Sequence, residues 1–378
     1  MNLLKKFFGD SVDEALQQTL TEALNQVRLE GLPASIVDAQ SLQKAELKKG
    51  ILTLHLALGF AAQSLWPALT TQIQQILAQK LKDHPEVKSV ECAFETQIQS
   101  HETAANKSPL EGVKNIIAVA SGKGGVGKST TSVNMALALA QEGAKVGVLD
   151  ADIYGPSIPT MLGVHQKPET QDGKQMEPLM AYGLQVMSIG FLIKPEDPMI
   201  WRGPIVTSTL MQLLNETRWT SLDYLIIDLP PGTGDVQLTM AQQIPVTGGV
   251  IITTPQEVAL IDARKGLRMF EKVNIPILGV IENMSTHICE QCGHEEAIFG
   301  EKGGQTLADA YDVDYLGGLA LDKRIREDAD QGHPSLIKNP QGANAQNYRR
   351  IVHQLGAKLA QQKRSYAHVF PSIQVENT

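Results

Sequence analysis

The hydrophobic pattern changes character once along this chain. From residue 113 onward, short apolar runs at 116–120, 145–149, 184–189, 224–229, 249–253, 277–281 and 315–319 alternate with amphipathic stretches at 129–141, 205–216, 236–243, 258–273 and 344–361. Runs that are apolar at nearly every position suit strands buried on both faces, and helices between them make the crossovers of a parallel sheet. The pattern predicts an α/β domain over 113–364, with a mostly parallel sheet flanked by helices. Residues 10–100 read differently. An amphipathic helix at 12–29, an alternating strand at 50–56, a second helix at 66–82 and a long strand or strand pair at 87–98 predict a small α+β domain. Residues 101–112 are rich in small and polar side chains and read as the linker.

Composition narrows the classes. At 378 residues two domains are expected, and 42% hydrophobic with 20% charged residues is ordinary globular material. A net charge of −8 argues against a nucleic-acid partner, because such proteins carry a basic face. The basic side of the last helix (Arg349, Arg350, Lys358, Lys363, Arg364) reads as a solvated surface. No window approaches a membrane span, residues 1–10 lack the apolar run of a signal peptide, and Leu3, Leu4, Phe7 and Phe8 read as the lead-in to the first helix. Three cysteines do not make a disulfide framework. Cys289 and Cys292 suit metal or redox work in a reducing compartment, and Cys92, within the 87–98 strand, reads as a buried structural thiol. The expectation is a cytoplasmic protein with neither a nucleic-acid nor a membrane partner.

Between the strand at 116–120 and the helix at 129–141 lies Ser121-Gly122-Lys123-Gly124-Gly125-Val126-Gly127-Lys128-Ser129-Thr130. Strand, glycine loop and helix are the context in which successive backbone N–H groups converge on one phosphate, aided by the helix N-terminus. Lys128 then reaches the β- and γ-phosphates, the Ser129 hydroxyl ligates Mg²⁺, and Thr130 contacts the α-phosphate. Gly122, Gly124 and Gly127 also spell a dinucleotide fingerprint, with Asp150 placed as a ribose-binding acid. Against that stand the polar Lys128-Ser129-Thr130, a second acid at Asp152, and a further strand ending in Asp228. ATP is therefore the expected ligand. Asp228 closes an apolar strand as a Mg²⁺-holding carboxylate does, and Asp152 is suited to orient the attacking water. Leu229-Pro230-Pro231-Gly232-Thr233-Gly234-Asp235 looks like a γ-phosphate sensor.

The loop from Lys123 to Thr130 resembles the deviant phosphate loop of the MinD/ParA-like ATPases, which carry an extra lysine near its start. The resemblance implies that Lys123 crosses a nucleotide-bridged homodimer to the partner's phosphates. Asp150-Ala-Asp-Ile-Tyr-Gly-Pro-Ser157, Trp201-Arg-Gly-Pro204, the run from Asp223 to Asp235, Asn283-Met-Ser285 and Cys289-Glu-Gln-Cys292 together resemble the Mrp (ApbC) branch, which are iron–sulfur cluster carriers. That branch implies ATP hydrolysis, Asn283 as the adenine contact, and transfer of a cluster from an assembly scaffold to apo iron–sulfur proteins. Residues 10–100 sit where many members carry a MIP18-like domain, in degenerate form here because the Asp-Pro-Glu opening is absent.

Two thiolates cannot close a four-coordinate site, whereas two copies of Cys289 and Cys292 supply four sulfurs. That fits a 4Fe–4S cluster bridging a homodimer and matches the resemblance. A shared zinc and a redox disulfide remain chemical rivals, with His287 and His294 as flanking residues. Two other functional classes share parts of the pattern. One is a MinD/ParA-like positioning ATPase with a zinc-stabilised dimer; the other is a nicotinamide-dependent oxidoreductase.

Overall fold

The computed structural model describes residues 12–365 apart from 34, 35, 39, 105, 106, 172, 194–202 and 290. Trp201 and Arg202 of the sequence landmark, Leu3 to Phe8, and the tail from 366 lie outside the described residues. The chain divides into two compact units, Met1–Ile98 with Gly356–Gln361, and Gln99–Leu355 with Gln362–Thr378.

In the first unit, α1 (Glu14–Leu24) is started by Asp13, whose carboxylate accepts the Leu16 N–H at 2.8 Å. β1 (Leu42–Lys48) and β2 (Ile51–Leu58) form an antiparallel hairpin closed by Lys49 and Gly50, both at positive φ (51° and 84°). A two-residue turn of that hand matches the twist of the strands it joins. After α2 (Trp66–Lys80), β3 (Ser89–Thr96) returns parallel to β2, giving the sheet order β1-β2-β3. Leu16, Leu20 and Leu24 of α1, Leu52, Leu54 and Leu56 of β2, and Leu69, Ile73 and Leu77 of α2 are buried in one core. Four-residue spacing on the helices and two-residue spacing on the strand put each set on one face. The pattern offers one long strand or a pair over 87–98, and one strand forms. The sequence reading carries the second domain to 364, whereas residues 356–361 pack with the first unit and bury Ala357 in its core.

The second unit runs β4 (Val113–Ser121), α3 (Lys128–Gln141), β5 (Val146–Asp150), α4 (Ile158–Leu162), β6 (Leu179–Ala181), β7 (Leu184–Ser188), α5 (Gly203–Glu216), β8 (Leu222–Asp228), α6 (Asp235–Gln243) and β9 (Gly248–Thr253). It continues through α7 (Glu257–Lys272), β10 (Ile277–Glu282), β11 (His287–Ile288), β12 (Glu295–Glu296), α8 (Gly303–Ala310), β13 (Tyr315–Gly318), α9 (Lys323–Asp330), α10 (Ser335–Lys338) and the part of α11 (Ala343–Ala360) that precedes Gly356. Among the described residues eight strands make one sheet, ordered β13-β10-β9-β4-β8-β5-β7-β6. Every pairing in it is parallel except β6 with β7 at one edge. β8 is buried at all its positions, which explains its unbroken apolar run. The same register lines up the strand ends: Val119 of β4 and Asp150 of β5 both lie opposite Asp228 of β8. Two carboxylates and the loop leaving β4 thus meet at the carboxyl edge, where open α/β sheets bind ligands. Among the described residues no helix is long and apolar enough to cross a membrane.

Candidate functional site

The loop from Gly122 to Gly127 leaves β4 and enters α3, and two of its glycines, Gly122 and Gly127, answer to close neighbours. A Cβ on Gly122 would stand 2.1 Å from the carbonyl carbon of Asp262 on α7, backbone that cannot step aside. Gly127 has φ of +81°, and a Cβ there would lie 2.1 Å from Asn283 Nδ2. Asn283 donates that amide to the Val126 carbonyl at 2.9 Å, and Ser121 Oγ donates to the Lys123 carbonyl at 2.9 Å. Two loop carbonyls are therefore occupied by side-chain donors. Gly124 and Gly125 are exposed, Lys123 and Thr130 are half-buried, and Lys128 is 5% exposed.

Asp228, fully buried at the end of β8, collects the first turn of α3. Its Oδ2 lies 2.8 Å from Lys128 Nζ and accepts the Ser129 hydroxyl at 2.5 Å, while its Oδ1 accepts the Ser132 hydroxyl at 2.7 Å. Ser132 carries no motif signature. The clue in the sequence is its position four residues after Lys128, on the same helical face. Asp150 is held separately by the Ile158 and Asp152 N–H groups at 3.2 Å each and by the Ser188 hydroxyl at 3.1 Å. Burial, and then the Asp228 charge, push its carboxyl up to about 7. Burial also raises Asp152, an effect opposed by the Lys128 ammonium. The Lys128 and Asp228 charges thus both act on the Asp152 carboxyl, in opposite directions. The sensor-like loop is tied in as well, since Gly232 N–H donates to the Ser121 carbonyl at 3.0 Å and Gln237 Nε2 to the Pro231 carbonyl at 2.7 Å.

Cys289 and Cys292 sit in the turn between β11 and β12. Cys289 N–H donates to the His294 carbonyl at 2.9 Å, and Gly293 N–H to the Cys289 carbonyl at 2.8 Å. The backbone N–H groups of Cys292 and then Gln291 turn toward the Cys289 sulfur and hold its thiol below the usual range. Donors aimed at sulfur favour the thiolate, the form that binds metal. Cys289 is half-buried and Cys292 exposed. His287 pairs through Nδ1 with the Leu321 carbonyl at 3.0 Å, so that nitrogen carries the ring proton. A cavity of about 1030 Å³ opens beside Cys289, with His287, Lys323 and Arg350 among its walls. Among the described residues no group of three or more His, Cys, Asp or Glu is arranged to hold a metal ion, and the pair presents two sulfurs.

Cys92 contrasts with this pair, because burial pushes its thiol up to about 11. At pH 7.5 its thiolate fraction is on the order of one in three thousand, so it should alkylate far more slowly than Cys289 or Cys292. Iodoacetamide labelling followed by peptide mass spectrometry checks this. Labelling of Cys92 at a rate equal to Cys289 would contradict the assigned environments.

A glycine loop between a central parallel strand and a buried lysine-bearing helix end, facing a carboxylate on the neighbouring strand, defines a P-loop nucleotide-binding protein. Residues 112–356 match the family model described as NUBPL iron-transfer P-loop NTPase, and residues 17–92 match one described as iron–sulfur cluster assembly protein. The chain belongs to the NUBPL iron-transfer P-loop NTPase family. It is 47% identical over 354 residues to an iron–sulfur cluster carrier protein of Haemophilus influenzae, covering 93% of this chain and 95% of that one. It is 50% identical over 308 residues to an iron–sulfur cluster carrier protein of Escherichia coli, covering 81% and 83%. A nucleotide-binding protein of Archaeoglobus fulgidus, solved with ADP, superposes with a TM-score of 0.54 at 36% identity, over 61% of this chain and 90% of that one. The family match leaves the nicotinamide reading without support.

Proposed function

We propose that the chain is an ATP-hydrolysing iron–sulfur cluster carrier. It works as a cytoplasmic homodimer that takes a 4Fe–4S cluster from an assembly scaffold, holds it between the two Cys289–Cys292 pairs, and passes it to apo-proteins. The observation that carries this is the presence in one unit of two sites: the Lys128–Ser129–Asp228 cluster behind the phosphate loop, and a cysteine pair whose sulfur accepts backbone N–H groups.

Each residue has a task in that reading. The N–H groups from Gly122 to Thr130 receive the phosphates, Lys128 moves from Asp228 to the β- and γ-phosphates, and the Asn283 amide meets adenine. The oxygens of Ser129 and Asp228, 2.5 Å apart, are the hard donors that Mg²⁺ prefers. Ser129 and Asp228 would hold Mg²⁺, which when bound would supply positive charge against the phosphates. Asp152 orients the water that attacks the γ-phosphorus, with ADP as leaving group. Lys123 reaches the partner's phosphates and offsets charge developing on transfer.

The test is transfer itself. Protein reconstituted anaerobically with iron and sulfide should restore activity to an apo 4Fe–4S acceptor faster than the same iron and sulfide free in solution. An equal rate would sink the carrier reading. The trans role of Lys123 has its own test. Lys123→Ala should slow hydrolysis, and adding excess Asp152→Asn subunits should recover part of it, because one site of each heterodimer then has both groups. No recovery with heterodimers demonstrably formed would refute a lysine acting across the interface.

A further inference from the structure

Three groups of α3 converge on the Asp228 carboxylate, and nucleotide binding makes different demands on each. Lys128 Nζ and Ser129 Oγ both sit on Oδ2, and both have other work once a nucleotide arrives. Ser132 Oγ alone takes Oδ1, at 2.7 Å, from a fully buried position. The bland alternative is that Ser132 only bonds back to its own helix, since its hydroxyl also lies 3.1 Å from the Lys128 carbonyl. The hydroxyl has one proton, and the carboxylate is both nearer and charged, so the proton goes to Asp228. Asp150, opposite Asp228 on β5, has its own clamp in Ser188 and two backbone N–H groups. Each of the two facing carboxylates is thus fixed by a separate serine.

We propose that Ser132 is a positioning residue for the metal-binding carboxylate. It locks the rotation of Asp228 so that Oδ2 stays aimed at Ser129 after Lys128 has left for the phosphates. The inference rests on the reading that this site takes Mg²⁺ with ATP. Without Ser132 the buried Oδ1 loses its hydrogen bond and the carboxylate is free to turn, so metal affinity falls while phosphate contacts made by the loop and Lys128 persist.

The experiment is an equilibrium titration of a fluorescent ATP analogue at fixed protein, with Mg²⁺ varied and with EDTA as the metal-free reference. Ser132→Ala should raise the Mg²⁺ concentration for half-maximal binding by about tenfold, the scale of one lost hydrogen bond to a charged group. Metal-free affinity should stay within about twofold, and Ser132→Thr, which keeps a hydroxyl, should restore the Mg²⁺ requirement. A thermal melt of each variant reports whether α3 has stayed folded. An unchanged Mg²⁺ requirement in Ser132→Ala overturns the proposal. So does an equal loss of affinity with and without metal, which marks a packing role, or a failure of Ser132→Thr to rescue. If the unaltered protein binds the analogue without regard to Mg²⁺, the reading beneath the proposal fails instead.

Discussion

Lys128→Ala should abolish ATPase activity and weaken ATP binding by at least about 100-fold, whereas Asp152→Asn should leave affinity nearly intact and cut turnover by about 10²–10⁴-fold. The asymmetry follows from where the two side chains stand. Lys128 is a buried ammonium with its carboxylate partner at 2.8 Å, so its charge is already desolvated and held against Asp228 behind the loop. Removing it deletes a strong phosphate contact and leaves Asp228 buried without a counter-charge. Breaking a buried pair that way costs about 3–5 kcal/mol, so a thermal melt must accompany the binding assay. Asp152 is half-buried beyond the end of β5, its carboxyl raised by burial and restrained by the Lys128 charge. A neutral amide there keeps the shape of the site but cannot orient water through a carboxylate. Isothermal titration with ATP and steady-state phosphate release separate the two. Equal loss of affinity in both variants would defeat the division of roles.

The elements of this fold are not equally legible in the sequence. The buried strands of the second unit could be read because both faces are covered, which writes an uninterrupted apolar run such as Leu225 to Ile227 into β8. α9 could not, since Lys323-Arg-Ile-Arg-Glu-Asp-Ala-Asp330 has no apolar stripe to follow. It stands on a cap, where Asp322 accepts the Arg324 N–H at 2.9 Å, and on the Arg326–Asp330 pair at 2.8 Å. α8 begins at two glycines after Lys302, which has φ of +57°, and is held by the Glu282 carboxylate accepting the Gly304 N–H. That contact joins residues remote in sequence, so no local pattern announces it. β1 is missed for a related reason: Lys44, Glu46 and Lys48 dominate its sequence, and its buried apolar positions Leu42 and Ala45 fall across a register shift. At the site, the glycine loop, Lys128 and Asp228 are visible because phosphate chemistry restricts residue type and spacing together. Ser132 is not, because Thr130, Thr131 and Ser132 are interchangeable hydroxyls in a string. Only the helical register decides which one meets Asp228.

Reconstituted protein should carry about four irons and four sulfides per pair of chains, because a cluster of that type wants four sulfur ligands and each chain offers two. That count follows from the turn between β11 and β12, where, among the described residues, Cys289 and Cys292 have no third His, Cys, Asp or Glu arranged to complete a metal site. Two copies related by a two-fold axis bring identical pairs face to face without any new element of structure. The N–H groups that lower the Cys289 thiol also reduce the proton loss that metal binding requires at neutral pH. Changing Cys289 or Cys292 to alanine should therefore remove the cluster completely, read as loss of the visible absorbance and of acid-labile sulfide. Cys92→Ala should retain it, since that thiol lies in β3 of the other unit and is held protonated by burial. ATP binding should persist in all three variants, because none of these cysteines touches the phosphate loop. One cluster per single chain, or zinc held stably in place of iron after anaerobic reconstitution, would overturn the bridging arrangement. Because ATP binding is read independently, that result would leave the nucleotide site standing and remove only the assignment of its cargo.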